Sequence, residues 1–286
     1  MARDKERRPG RGVAWPCTVL AWLLAGIALL PFALTVWTAG RPREQVDKAY
    51  EYLSWRLPPH EVRRRVPVEP RPLRVAAVNS LVVSSASAVL CVVLSSLAGY
   101  AFAKKHFLGK AALFDLVLAS MAVPAAILMM PLFRLTVALH LYDTLLALIL
   151  PFCVTGFGIF FMRYAISSVP DSLIDAARLD GLSEFGALFR VVLPSIWQSV
   201  ITLGVLQFIA TWHSFVLPHA VVASPRNYTV AVLLGRLMSD FRGLMWNDIM
   251  IVVMAAAAPI VLVFIAFNRW ILRGAAAVGE ERMGGK

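Results

Sequence analysis

Residues 170–194 read PDSLIDAARLDGLSEFGALFRVVLP, a polar and amphipathic segment set between two long apolar runs. Pro170 and Asp171 are helix-start signals, because proline is tolerated in a first turn and an acidic side chain there complements the positive end of the helix dipole. A short helix over Asp171–Asp180 is predicted. Gly181 follows where a chain reversal or left-handed cap calls for a residue without a Cβ, and Ser183 is placed to cap a second helix beginning at Glu184. In that second helix Phe185, Leu188, Phe189 and Val192 recur at i, i+3, i+4 and i+7 and predict one apolar stripe, which Pro194 ends or kinks. A helix, a glycine elbow and a second helix at a membrane surface suit two roles, a hairpin lying on lipid or an element on which another protein docks. Asp175 divides in the same way, between a partner contact and a local i,i+3 pair with Arg178 worth about 0.2–0.5 kcal/mol.

The flanks place this segment at a membrane. The chain has 286 residues, 59% of them hydrophobic and only 16% charged, with a mean hydropathy of +0.71, values of a polytopic membrane protein rather than a soluble domain. Runs long enough to cross about 30 Å of hydrocarbon are Trp15–Thr38, Val75–Ala103, Ala111–Val137, Leu141–Tyr164, Ile196–Val222 and Asn247–Trp270. The predicted fold is therefore all-α, with six transmembrane helices. Asp115, Asp143 and Asp248 fall at or near run ends, as expected when a charge at a helix centre costs roughly 2.5–3.5 kcal/mol. The first run follows Arg3, Lys5, Arg7, Arg8 and Arg11 and contains Trp22, Pro31 and Trp37. It is too long for the h-region of about 7–15 residues in a signal peptide, so a retained anchor is predicted.

With the N-terminus inside, Lys and Arg nearly balance across the membrane because the first loop, Arg41 to Arg74, is itself strongly basic; without that loop the excess lies inside. The net charge of +11 comes without aromatic–basic interleaving or a zinc pattern, which favours anionic lipid headgroups over nucleic acid as its partner. Cys17, Cys91 and Cys153 lie in three different apolar runs without metal-like spacing and read as small buried side chains. His60, His106, His140, His213 and His219 are scattered, no run carries a carboxylate at its centre, and neither a catalytic residue nor a metal site is predicted. No GxxxxGK[ST] occurs, and Gly156-x-Gly158 sits in an apolar run, so this chain supplies no phosphate-cradling loop. Pro124 and Pro131 stand where the third helix is open to breaking, at a point where a pathway would need exposed backbone. Gln207, Trp212 and His213 are candidates to face a cavity.

Asp175-Ala176-Ala177, then Gly181, then Val191 and Leu193-Pro194 resemble the EAA loop of binding-protein-dependent ABC importers, with Asp for Glu and Val for Ile. The resemblance extends to Asn79-Ser80-Leu81, Ala98-Gly99-Tyr100-Ala101-Phe102-Ala103, Pro131-Leu132-Phe133, Leu148-Ile149-Leu150-Pro151, Tyr228-Thr229-Val230 and Arg269-Trp270-Ile271-Leu272-Arg273-Gly274. Together these look like the smaller permease subunit of maltose-type sugar importers over about residues 70 to 280. Two places depart from the pattern. Trp212-His213-Ser214-Phe215 stands where many such permeases have Trp-Asn-Asp/Glu-Phe, and the tail reads Gly274-Ala275-Ala276-Ala277-Val278-Gly279 before Glu280.

The resemblance implies a type I ABC importer permease fold and a permease subunit carrying a sugar or oligosaccharide. Glycerol phosphate, amino acids and other solutes are the alternative cargo. The implied organisation is a basic cytoplasmic tail at 1–14, a first transmembrane helix at 15–38, an external charged loop at 39–74, a permease core at 75–270 with the EAA loop at 170–194, and a cytoplasmic tail at 271–286. Implied partners are a second permease subunit, two ATP-binding cassette subunits that use ATP and Mg²⁺, and an extracytoplasmic solute-binding protein, in a bacterial or archaeal cytoplasmic membrane with both termini inside. Asp175, Ala176, Ala177, Gly181, Leu193 and Pro194 would meet the ATPase, and the tail at Gly274 and Gly279 would reach toward it. No cofactor is expected on this chain itself.

Overall fold

The computed structural model describes residues 14–40, 70–239 and 246–280. The N-terminal tail through residue 13, most of the charged first loop (41–69) and residues 281–286 lie outside the described residues. The chain divides into two compact units, residues 1–67 with 242–254, and residues 68–241 with 255–286. In the first unit α1 (Ala14–Ala39) is a 26-residue helix. Its bulky apolar side chains, Trp22 at 76% exposure among them, face outward, as a helix surrounded by lipid requires.

The second unit is built on α2 (Pro70–Lys104), 35 residues long. It is followed by α3 (Lys110–Met121), α4 (Ala125–Ala138), α5 (Leu146–Phe152), α6 (Gly156–Ser167), α7 (Asp171–Leu179), α8 (Glu184–Ser195), α9 (Trp197–Trp212), α10 (Val216–Val221) and α11 (Val230–Ser239). The last helix, α12 (Trp246–Glu280), carries residues 271–280 on as continuous helix, so Gly274 and Gly279 lie on its final turns. Every described element of regular structure is helical.

Stretches of α1, α2 and α12 are each long and apolar enough to cross a membrane, and the number reaches six when each bent helix pair is taken as one span. The predicted runs are thus more broken than continuous. The third turns by 102° between α3 and α4, where Pro124 takes an extended conformation at the start of α4, as its missing N–H and fixed φ favour. Pro131 lies inside α4. The fourth begins at Leu146, and α5 and α6 meet at 45°; Thr155 caps α6 by accepting from Gly158 N at 3.0 Å. The fifth run stops at Trp212 and resumes only as the short α10. α8 meets α9 at 87°, a corner that sets residues 184–195 apart from the crossing helix.

Small residues set the packing of α2 on α6. A Cβ on Gly99 would lie 2.7 Å from Arg163 N, and one on Gly158 would lie 2.5 Å from Ser95 Oγ, so both glycines are required for helix axes to approach this closely. Cys91 is fully buried beside Gly158, its Sγ 3.6 Å from Ser95 Oγ and 3.7 Å from Thr155 Oγ1. Cys153 is half-buried and donates to Leu150 O. Two apolar cores result. One joins Tyr100, Met162, Ile166, Ile174, Ala187, Leu188 and Leu203; the other gathers Val83, Leu148, Leu217, Val221 and Val222.

Candidate functional site

The helix starts, the glycine elbow and the serine cap of the 170–194 segment form where its local signals direct. α7 opens after Pro170 with Asp171 in its first turn. Gly181 adopts φ +82°, the left-handed conformation that costs an L side chain roughly 1–2 kcal/mol. Ser183 caps α8 by accepting from Gly186 N at 3.2 Å. A Cβ built on Gly181 meets nothing within 4 Å, so glycine is needed there by the backbone of this chain and not by its neighbours.

The predicted single apolar stripe is corrected by the structure. Leu188 and Val192 are buried with Ala187, whereas Phe185 and Phe189 are exposed. Residues 188–192 form a π-helical turn, whose wider i→i+5 winding carries Val192 round to the Ala187–Leu188 side and leaves the two phenylalanines behind. Pro194 does not make the corner; the chain turns at Ile196, with φ −114° and ψ 26°. The segment consequently has a wet apolar face. Leu179 is 89% exposed and Phe185 67%, and Leu173 and Phe189 are also exposed.

Of the predicted coupling residues, Asp175, Ala176, Gly181 and Pro194 are exposed, Leu193 is half-buried and Ala177 is buried. Ala177 and Leu193 belong to the core under the elbow. Asp175 makes its local pair, Oδ1 lying 2.8 Å from Arg178 Nη1, and keeps 63% of its side chain exposed.

No local pattern of residues signals the polar network that fastens this loop to the end of α2. Glu184 Oε2 accepts from Tyr100 Oη at 2.9 Å. Its Oε1 lies 2.5 Å from Lys105 Nζ and 3.0 Å from Arg178 Nη2. Lys104 Nζ donates to Val169 O at 2.5 Å and to Asp171 Oδ1 at 2.7 Å. The Lys105 ammonium holds the Glu184 carboxyl below its ordinary range, with the Tyr100 hydroxyl and Arg178 acting the same way against a smaller opposing effect of burial. Lys104 likewise lowers Asp171. The only legible trace was Ser183-x-x-Gly186 with Glu184 in the first turn, which announces a capped helix and not its distant partners.

At the opposite end of α2, two of the resembling segments meet. Asn79 Nδ2 donates to Arg226 O at 2.8 Å and Tyr228 O at 3.0 Å, and Ser80 Oγ accepts from Val230 N at 2.8 Å. Asp143, at φ 57°, accepts from Ala223 N at 3.0 Å, Ser224 N at 2.9 Å and Ser224 Oγ, while Asn227 Nδ2 donates to Asp143 O at 2.5 Å. The Ser224 hydroxyl is the main cause of an Asp143 pKa lowered to about 2.

The four candidate pathway residues are not gathered round one cavity. Gln207 is 6% exposed and donates to Phe152 O at 3.1 Å; Trp212 is 5% exposed and donates to Ala256 O at 2.9 Å. His213 and Pro124 are exposed. None of the four lines the apolar groove of about 360 Å³ between α2, α9 and α12, whose walls include Ala88, Val92, Gly204, Phe208 and Val263. Among the described residues, no three His, Cys, Asp or Glu side chains come together as a metal-holding group.

The chain is 35% identical over 203 residues to the arabinooligosaccharides transport system permease protein of Bacillus subtilis (strain 168), covering 71% of this chain and 72% of that one. It is 31% identical over 196 residues to the lactose transport system permease protein of Rhizobium radiobacter, covering 68% and 71%. In fold it is similar to a chain of a bacterial ABC transporter involved in the import of the acidic polysaccharide alginate, with a TM-score of 0.72 at 16% identity over 92% of this chain and 98% of that one. Residues 91–276 match a family described as the inner membrane component of binding-protein-dependent transport systems. That match takes in the elbow loop, its fastening to α2 and most of the broken helices, and the chain belongs to this family of transport-system inner membrane components.

Proposed function

We propose that this chain forms half of the translocation pathway for a sugar or oligosaccharide, and that transport is driven by ATP hydrolysed with Mg²⁺ in two separate cassette subunits. A second permease subunit completes the pathway and an extracytoplasmic binding protein delivers the solute. The observation that carries the docking role is the elbow surface, where Leu179 and Phe185 stand exposed around Gly181 while the same two short helices are tied to the body by ionic contacts. A lipid-surface hairpin needs its apolar face turned toward the bilayer and gains nothing from such fastening. Because a cytosolic ATPase must reach the loop, residues 170–194 face the cytoplasm, which puts both termini there and the 143–144 and 223–228 turns outside. The membrane is the bacterial or archaeal cytoplasmic membrane.

In this arrangement no residue of the chain performs covalent chemistry. Cassette closure on ATP shifts a two-state equilibrium of the pathway because the closed cassettes bind one permease arrangement better than the other. In this reading Asp175, most of whose side chain is in solvent, makes a polar contact with the cassette. The sugar class is carried by the arabinooligosaccharide and lactose relatives.

The complex reconstituted in proteoliposomes with its binding protein is expected to take up labelled oligosaccharide in an ATP-dependent way. Uptake of glycerol phosphate or amino acids with no uptake across an oligosaccharide panel would overturn the sugar assignment. Leu179→Asp is expected to strip the cassettes from the purified complex; unaltered cassette retention would overturn the docking role.

A further inference from the structure

A second polar site lies beside the coupling loop, where the end of α2, the start of α3 and the end of α6 enclose a cavity of about 250 Å³. Phe102 and Phe160 line it with the cations Lys110 and Arg163 and the hydroxyl residues Tyr164 and Ser167, and among the described residues no carboxylate lines it. The Arg163 guanidinium carbon lies 3.8 Å from the Phe114 ring centre, a cation–π contact that does not use up its N–H donors. Lys110 Nζ donates to Lys105 O at 2.8 Å and keeps further protons for another acceptor.

The neighbouring cations are already matched. Lys104 pairs with Asp171, and Lys105 and Arg178 with Glu184. Among the described residues neither Lys110 nor Arg163 has a carboxylate in ion-pair contact, in contrast to Lys104, Lys105 and Arg178 nearby. α3 leads away from Lys110 with Leu113 and Leu116 exposed. Two cations, aromatic walls and an adjoining bare apolar helix face match a molecule that carries an anion at one end and hydrocarbon at the other.

We infer that this cavity binds the headgroup of an anionic phospholipid, with Lys110 and Arg163 holding its phosphate and the acyl chains lying along the exposed face of α3. The leaflet, though not the site, rests on the proposed orientation, which makes it the cytoplasmic one. Occupation would fix the joint of α2, α3 and α6 directly beneath the loop that meets the cassettes.

The test uses the intact importer complex in nanodiscs of phosphatidylcholine doped with phosphatidylglycerol, extracted gently and read by native mass spectrometry for retained lipid. The wild-type complex is expected to retain phosphatidylglycerol over phosphatidylcholine. Lys110→Gln and Arg163→Gln should each weaken retention about fivefold and the double variant roughly thirtyfold, whereas Arg163→Lys, which keeps the charge, should retain most of it and serves as the reference if Arg163→Gln fails to fold. Equal retention by wild type and double variant, or equal retention of the two lipids, would overturn the proposal. Displacement of the lipid by millimolar inorganic phosphate as readily as by added phosphatidylglycerol would also overturn it, since the site would then be one for free phosphate. None of these readouts requires transport, so they fail or hold separately from the importer reading.

Discussion

Gly181 separates two demands that an elbow glycine usually confounds, freedom of backbone and absence of side chain. Its φ of +82° makes any L residue with a Cβ pay strain of roughly 1–2 kcal/mol, while its built Cβ meets nothing within 4 Å, so this chain imposes no steric cost. Asparagine tolerates the left-handed region better than other non-glycine residues. Gly181→Asn should therefore leave the fold within about 1 kcal/mol of wild type, read as the thermal midpoint of the purified permease subunits in detergent. If the open space is where a cassette seats, the same side chain intrudes on the interface, and overpacking of about 1–3 kcal/mol corresponds to a loss of cassette affinity of roughly 5- to 150-fold. Titration of purified cassettes onto the reconstituted permease measures that loss, with Gly181→Ala as the control that has strain but little bulk. Gly181→Asn binding its cassettes and transporting as well as wild type would refute the claim that a partner occupies the space beside the elbow.

Glu184→Gln should preserve ATP hydrolysis but reduce solute moved per ATP several-fold, because contacts to Lys105, Tyr100 and Arg178 weaken at about 0.2–1 kcal/mol for each exposed pair; partial recovery in Glu184→Lys with Lys105→Glu is the check. Both Glu184 and Asp171 have lowered folded-state pKa values, so their stabilisation is complete above the ordinary carboxylate range and is lost only as pH falls through the depressed values; this network should accordingly give transport per ATP no pH dependence around neutrality, measured across a buffer series. Asp143→Asn keeps a residue tolerant of φ 57° but removes the charge that accepts from Ala223 and Ser224, and should lower stability by about 1–3 kcal/mol, read as a drop in thermal midpoint. Gly99→Ala puts a Cβ 2.7 Å from the Arg163 backbone nitrogen and should cost about 1–3 kcal/mol by overpacking, with Gly204→Ala, whose nearest neighbour is a side-chain methyl of Val92 at 3.6 Å, close to neutral in the same assay.

What the sequence discloses here is governed by the range of the interaction. Pro170, Asp171, Gly181 and Ser183 act within a few residues of themselves, so the two short helices and the elbow between them are legible. Pro124 announces one helix break by the same short-range means, and Thr155 capping α6 signals another that hydropathy alone merges into a single run. The π turn at 188–192 has no residue of its own to announce it, and the face of α8 follows from that turn. Glu184 finds Tyr100 and Lys105 across the five helices α3 to α7 in sequence, and nothing local to either end encodes the meeting. Gln207 and Trp212 carry polar atoms within an apolar run, and each satisfies a backbone carbonyl, an inexpensive way to bury an N–H in a bundle.

The placement of these long-range contacts makes α2 the mechanical element of the second unit. Thirty-five helical residues extend about 52 Å, and the polar contacts of α2 concentrate near its ends. Asn79 and Ser80 hold the 226–230 turn, which Asp143 clamps in turn, while Tyr100, Lys104 and Lys105 hold α7 and α8. Between them Gly99 and Gly158 lock α2 against α6 without room for sliding. A partner that pushes the elbow cannot displace it independently of α2 without breaking ionic contacts and opening the core around Ile174, Ala187 and Leu188. Movement of α2 in turn carries the turn at 226–230, because its carbonyls and the Val230 amide are bonded to the helix itself. The route from the loop to the opposite end of the unit is therefore one continuous helix with bonded ends, and severing either end, by Asn79→Ala or Glu184→Gln, should weaken coupling with the other end's contacts intact.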